Sequence, residues 1–163
     1  MSARSEALAR RIEEGARNLA SFAEGLTDSE WNTVVKPDGR RVGVIVHHVA
    51  SVYPIEIHLA SEIAAGKTVT GVTWAVVADM NAKHAQDNAG VGKAETLDLL
   101  RRASTDAAAA VRALTDAQLD SAAPFSLNAD APLTSQFVIE DHALRHSWHH
   151  LAKIKAALKR GDR

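Results

Sequence analysis

Residues 140–151 read Glu140-Asp141-His142-Ala143-Leu144-Arg145-His146-Ser147-Trp148-His149-His150-Leu151 and hold four of the chain's eight histidines. Their surroundings predict one long helix. In a helix, residues four apart lie one turn from each other, so His142, His146 and His150 form a vertical series. A wheel of about 100° per residue divides that series. His146 and His150 fall in an apolar arc with Ile139, Ala143, Ile154 and Ala157, continued by Phe137, Leu144, Leu151 and Leu158. His142 and His149 fall on the other side, toward Arg145 and Lys153. A single inward histidine is commonly a hydrogen-bonded core residue. Two at i and i+4 each need partners of their own, and both a shared metal ion and ordinary polar pairing remain open readings of this helix.

The rest of the chain supplies further helices. Leu8, Ile12, Leu19, Phe22 and Leu26 recur at mixed steps of three, four and seven, which predicts an amphipathic helix over residues 3–25. Thr27 and Glu30 form a capping box for a short turn, and Lys36-Pro37-Asp38-Gly39 has the chemistry of a tight turn. A second helix is predicted over 41–65. On its wheel His48 lies at the centre of a face made by Val44, Ile45, Val52, Ile55 and Leu59. Glu56 lies at one edge of that face, and His47 and His58 on the polar flank. Pro54 removes one backbone donor inside this helix.

A third segment, 73–89, places Trp74, Val77, Met80, Asn81 and His84 on one broad face. Core packing is the expectation for Trp74 and Met80, and the lining of a polar pocket for Asn81 and His84. A fourth helix, 94–114, repeats Leu97, Leu100, Ser104, Ala107, Val111 and Leu114 at alternating steps of three and four, the seam of a bundle. Leu114-Thr115-Asp116-Ala117-Gln118-Leu119 then echoes Leu26-Thr27-Asp28-Ser29-Glu30-Trp31. A connection over 121–134, with Pro124 and Pro132, leads to the last helix. Two helical hairpins with an inserted helical segment between them predict an all-α four-helix bundle. In such a bundle the second and last long helices turn His48, His146 and His150 toward one interior.

Composition narrows the function. The 163 residues suit one domain able to bury a proper core. The net charge of −1 is spread along the chain, and no basic stripe interleaved with aromatics marks a nucleic-acid surface. We read no stretch of about 18 apolar residues and no signal peptide, so the expectation is a cytoplasmic protein without a membrane partner. Cysteine is absent, which excludes disulfides, a thiolate zinc site and a cysteine nucleophile. Three imidazoles leave coordination positions for water or substrate and suit zinc, nickel, iron or copper. Ser147 follows His146, so the HExxH base of zinc proteases is missing.

Val44-Ile45-Val46-His47-His48-Val49-Ala50, followed about a hundred residues later by His146-Ser147-Trp148-His149-His150-Leu151-Ala152-Lys153-Ile154, resembles the DinB-like superfamily, in particular its YfiT-like branch. The resemblance covers essentially the whole chain, including the Asn81/His84 segment. It implies an up-down-down-up four-helix bundle with an extra inserted helical segment. It also implies one divalent metal, zinc or nickel foremost and iron or manganese next, on His48, His146 and His150. For activity it implies transfer of a low-molecular-weight thiol cosubstrate to an electrophilic small molecule. The alternatives are a metal-dependent hydrolase and a non-catalytic metal-binding domain. A homodimer is common among look-alikes. Glu56 and Glu140 are candidates to orient the ligand imidazoles, and Trp74, Asn81 and His84 to line the substrate site; no residue stands out as a general base.

Overall fold

The computed structural model describes residues 2–159. Helix α1 spans Ala3–Glu24 and begins with a capping box in which the Ser2 and Ser5 side chains each accept from the other's backbone N–H. The two echo turns are real helices, α2 (Asp28–Trp31) and α6 (Asp116–Asp120). Both carry the expected capping boxes, Thr27 with Glu30 and Thr115 with Gln118. Three further helices precede α6: α3 (Val42–Ala64), α4 (Trp74–Asp87) and α5 (Lys93–Arg112). The last rod is composite, with α7 (Ser135–Val138), a π-helical segment (Ile139–Leu144) and α8 (Arg145–Ala157).

Cross-links between the rods fix their directions. Arg112, at the end of α5, pairs with Glu6 and Glu13 near the start of α1, whereas Arg101 reaches Glu24 at the other end. Helices α1 and α5 are therefore antiparallel. At the start of α3, Trp31 lies over Gly43 and its indole N–H donates to the Val91 carbonyl just before α5. A Cβ at Gly43 would run into that ring, so the close approach requires glycine here. At the far end of α3, Ser121, which follows α5 and α6, donates to the Ile63 carbonyl, so α3 runs parallel to α5. The composite rod starts where Ser135 donates to Ala60 near the end of α3, and Gln136 accepts from Arg4 near the start of α1. It returns beside α1 and against α3. This is the up-down-down-up bundle with α4 inserted between the second and third rods.

Between α6 and the last rod, the structure departs from the expectation of a plain connection. Strands β1 (Ala122–Phe125) and β2 (Ala131–Thr134) form an antiparallel hairpin with Pro124 opposite Pro132. Two facing prolines can only occupy a pair that exchanges no N–H bonds, so neither costs the ladder a donor. Ala123 and Phe125 alternate inward, and Val69 bonds the outer edge of β1, tying the α3–α4 loop to the hairpin.

Three further expectations of the wheels are corrected. The buried arc of α3, which includes Ile45, Val49, Tyr53, Ala60 and Ile63, is centred about a quarter-turn from His48. His48 thus sits at the margin of the core, Glu56 lies inside it, and Ile55 is exposed. The helix packs on α5 and on the composite rod together, and that pair of neighbours sets the buried arc. By length and composition α3 could also span a membrane, contrary to our reading of the apolar runs; most of that stretch is buried inside the bundle. Trp74 and Met80, expected in the core, are 69% and 42% exposed, because α4 packs chiefly on α3. The wider π turn retards the rotation of the last rod. His142, expected at the rim, is half-buried with its ring edge-on to Phe125, and Phe137 is exposed.

Candidate metal centre

Two rods supply the candidate site. His48 lies in the second turn of α3, and His146 and His150 lie in the first turns of α8, regular helix again after the π segment. His48 and His150 are buried, and His146 is partly so. Each of the three offers one ring nitrogen, and the three nitrogens all lie within 4.8 Å of one another. The Nε2 atoms of His48 and His146 are 3.1 Å apart. Two nitrogens about 2.0–2.1 Å from one tetrahedral zinc stand roughly 3.3–3.4 Å apart, so this spacing suits a shared cation. The rings of His146 and His150 stack at 4.9 Å between centroids, as i and i+4 imidazoles on one helix face can.

Electrostatics leave the lone pairs available. Burial pushes His48 down to about 2, helped by the charges of His146 and Arg40, and pushes His150 down to about 3 in the same way. A neutral imidazole is the form that ligates. His150 Nδ1 is buried and has no hydrogen-bond partner among the described residues. Glu56, one helical turn beyond Val52 on α3, places Oε1 2.5 Å from His146 Nδ1. A proton on that nitrogen donates to the carboxylate and turns His146 Nε2 toward His48. This is the carboxylate–imidazole arrangement that fixes a metal ligand's tautomer. The donor set and the orphaned nitrogen fit a divalent cation.

The other candidates sort by position. His84 on α4 sets Nε2 2.8 Å from His47 Nδ1, and its ring is 5.5 Å from that of His48. Burial lowers the pKa of both His47 and His84. Asn81, one turn earlier, is half-buried. Trp74 is at the surface. Glu140 is paired with Arg11 of α1 at 3.0 Å. On the wheel His47 belongs to the polar flank; the structure adds it to the wall of the site. Two more features carried no usable signal in the sequence. Tyr53 and Ser147 share a buried hydrogen bond of 2.6 Å that pins α3 to α8. Asp38, expected only as a turn residue, forms an ion pair with Arg40 just before α3.

Comparison with known proteins agrees with this layout. The fold is similar to that of YfiT from Bacillus subtilis, described as "a probable metal-dependent hydrolase with an unusual four-helix bundle topology". The TM-score is 0.70 at 19% sequence identity, over 98% of this chain and 87% of that one. No curated protein sequence matches the chain. The family model of the DinB superfamily matches residues 11–154, spanning all four rods and the three clustered histidines. The chain belongs to the DinB superfamily.

Proposed function

We propose that this protein is a metal-dependent enzyme that transfers a low-molecular-weight thiol to an electrophilic small molecule, with His48, His146 and His150 holding one divalent cation, zinc or nickel foremost. The observation that supports it most is the convergence of three ring nitrogens, two of them on deeply buried imidazoles, beside a carboxylate already committed to one ring. A cation on three neutral imidazoles keeps its full charge and open coordination positions, and so lowers the pKa of a bound thiol or water toward neutrality.

The chain's own groups do the rest. Glu56 holds His146 in one tautomer and is thereby occupied, so it is a positioning residue. His47 and His84 bond each other through one nitrogen apiece, and His84, with its ring 5.5 Å from that of His48, keeps Nδ1 without a partner among the described residues as the group that can bond a substrate. The thiol must come from a cosubstrate, because the chain has no cysteine.

A second reading, hydrolysis of a small ester or amide, is favoured by the likeness to YfiT and by the His47–His84 pair, whose neutral rings could take a proton from water. The test is turnover by zinc- or nickel-reconstituted protein on a panel of electrophiles with and without thiol. Thiol-dependent turnover that disappears in His146→Ala is the expected result. Ester cleavage without thiol would replace transfer by hydrolysis. No turnover in either assay would leave a metal-binding domain without catalysis.

A further inference from the structure

The turn before α3 holds a group that neither the bundle nor the imidazole cluster explains. Arg40 and Asp38 form a two-pronged ion pair, Nε to Oδ1 at 2.6 Å and Nη2 to Oδ2 at 2.9 Å. Their side chains are only 16% and 8% exposed. The remaining terminal nitrogen, Nη1, is buried with no partner among the described residues. A buried ion pair gains little over an apolar replacement, and a buried donor without an acceptor is a net cost. Stability alone therefore gives no reason for an arginine here.

Position does. Besides burial, the positive charge of Arg40 helps to keep His48, His84 and His150 unprotonated, and the carboxylate of Asp38 acts in the opposite sense on His149 and His150. Arg40 stands two residues before α3, whose second turn carries His48, and the last rod, which starts beside Ala60, brings His150 back toward that same end of α3, so the pair sits at the end of the bundle that holds the imidazoles. A bare guanidinium next to a cation site would oppose the cation. Asp38 offsets that repulsion and leaves Nη1 as a directional donor. The planar fork of arginine matches a carboxylate, and a charge-assisted bond in a dry setting is among the stronger polar contacts. Helix α4 has no buried residue and joins this region through His84, so it is the neighbour best able to yield as a ligand enters.

We infer that Arg40 anchors a carboxylate of the small molecule that binds beside the three histidines, with Asp38 holding the guanidinium in place. This takes from the proposed function only the location of the ligand. The test is calorimetric titration of the metal-loaded protein with propionate, 2-mercaptoethanol and 3-mercaptopropionate, in the natural chain, Arg40→Gln and Arg40→Lys. The expected result is that both carboxylates bind about tenfold more weakly or worse to Arg40→Gln, while 2-mercaptoethanol binds as before. Arg40→Lys keeps the charge and the pairing with Asp38 but loses the free fork nitrogen, and its propionate affinity should fall several-fold. It also serves if Arg40→Gln fails to fold.

Propionate binding that is absent, or unchanged in the folded variants, overturns the inference. So does an equal loss of 2-mercaptoethanol binding. Failure of 2-mercaptoethanol to bind any of the proteins counts against thiol transfer alone, and Arg40 is then judged on propionate. If 3-mercaptopropionate exceeds both other ligands, thiol and carboxylate belong to one molecule; if it does not, the carboxylate belongs to the electrophile.

Discussion

The seam between α3 and α8 and the lone helix α4 border the same cluster of imidazoles, yet they are built differently. The seam is closed by Tyr53 bonded to Ser147 and by Glu56 bonded to His146, with Ile154 fully buried one turn beyond His150. Helix α4 buries none of its residues, exposes Trp74, Val76 and Met80, and meets the site through His84. A ligand set must be held within fractions of an ångström, and regular helices locked by packing and hydrogen bonds do that best. The wall that faces an incoming small molecule has the opposite requirement, and elements of low local stability serve it. The two regions divide rigidity and access between them.

The sharpest break in that comparison comes from emptying the seam. Ile154→Ala should destabilise the protein by about 2–5 kcal/mol in urea unfolding, because it deletes buried methyl groups and leaves a cavity. Acid should weaken the same region next. In the metal-free protein His48 and His150 stay neutral down to about 2 and about 3, mainly through burial, whereas an unfolded histidine gains its proton near 6.5. The unfolded chain therefore binds more protons as pH falls below about 6.5, and folding stability declines from there toward pH 3. The slope approaches about 1.4 kcal/mol per pH unit for each such histidine. Between pH 6.5 and 5, above the titration of ordinary carboxylates, the decline belongs to histidines, and a flat profile in chelator would contradict the burial assigned to them.

Glu56→Gln sharpens the seam's second role. The amide can no longer hold His146 by a charge-assisted bond, and affinity for zinc should drop about 10–100-fold in competition with a chelator. At the small end, Trp74→Ser on α4 should change unfolding free energy by no more than about 0.5 kcal/mol. An effect as large as that of Ile154→Ala would erase the distinction between seam and wall.

Much of this was legible in the residues, and the exceptions have physical reasons. The bundle rods and the capped turns at Thr27 and Thr115 follow from period and local chemistry, which act within a few residues. The hairpin at 122–134 was hidden because Pro124 and Pro132 argue against strands unless each faces the other, a fact of pairing alone. The π segment shifts the rotation of the last rod without any proline or glycine to announce it, and it moved His142 inward. A wheel puts Trp74 and Met80 in the core because it tells which residues share a face, and only the fold tells whether anything lies above that face. At the site, the wheels turned His146 and His150 inward and put His48 on an apolar face, and the resemblance joined the three into one ligand set. The contributions of His47, Arg40 and Asp38 depend on where a loop and a loosely packed helix come to rest.

X-ray absorption on the purified protein, with metal content measured in parallel, tests the central claim most directly. The account predicts one divalent cation per chain with three imidazole nitrogens in its first coordination shell, and no bound cation in His146→Ala. A cation surrounded by oxygen alone, or one retained at full stoichiometry in His146→Ala, would contradict it.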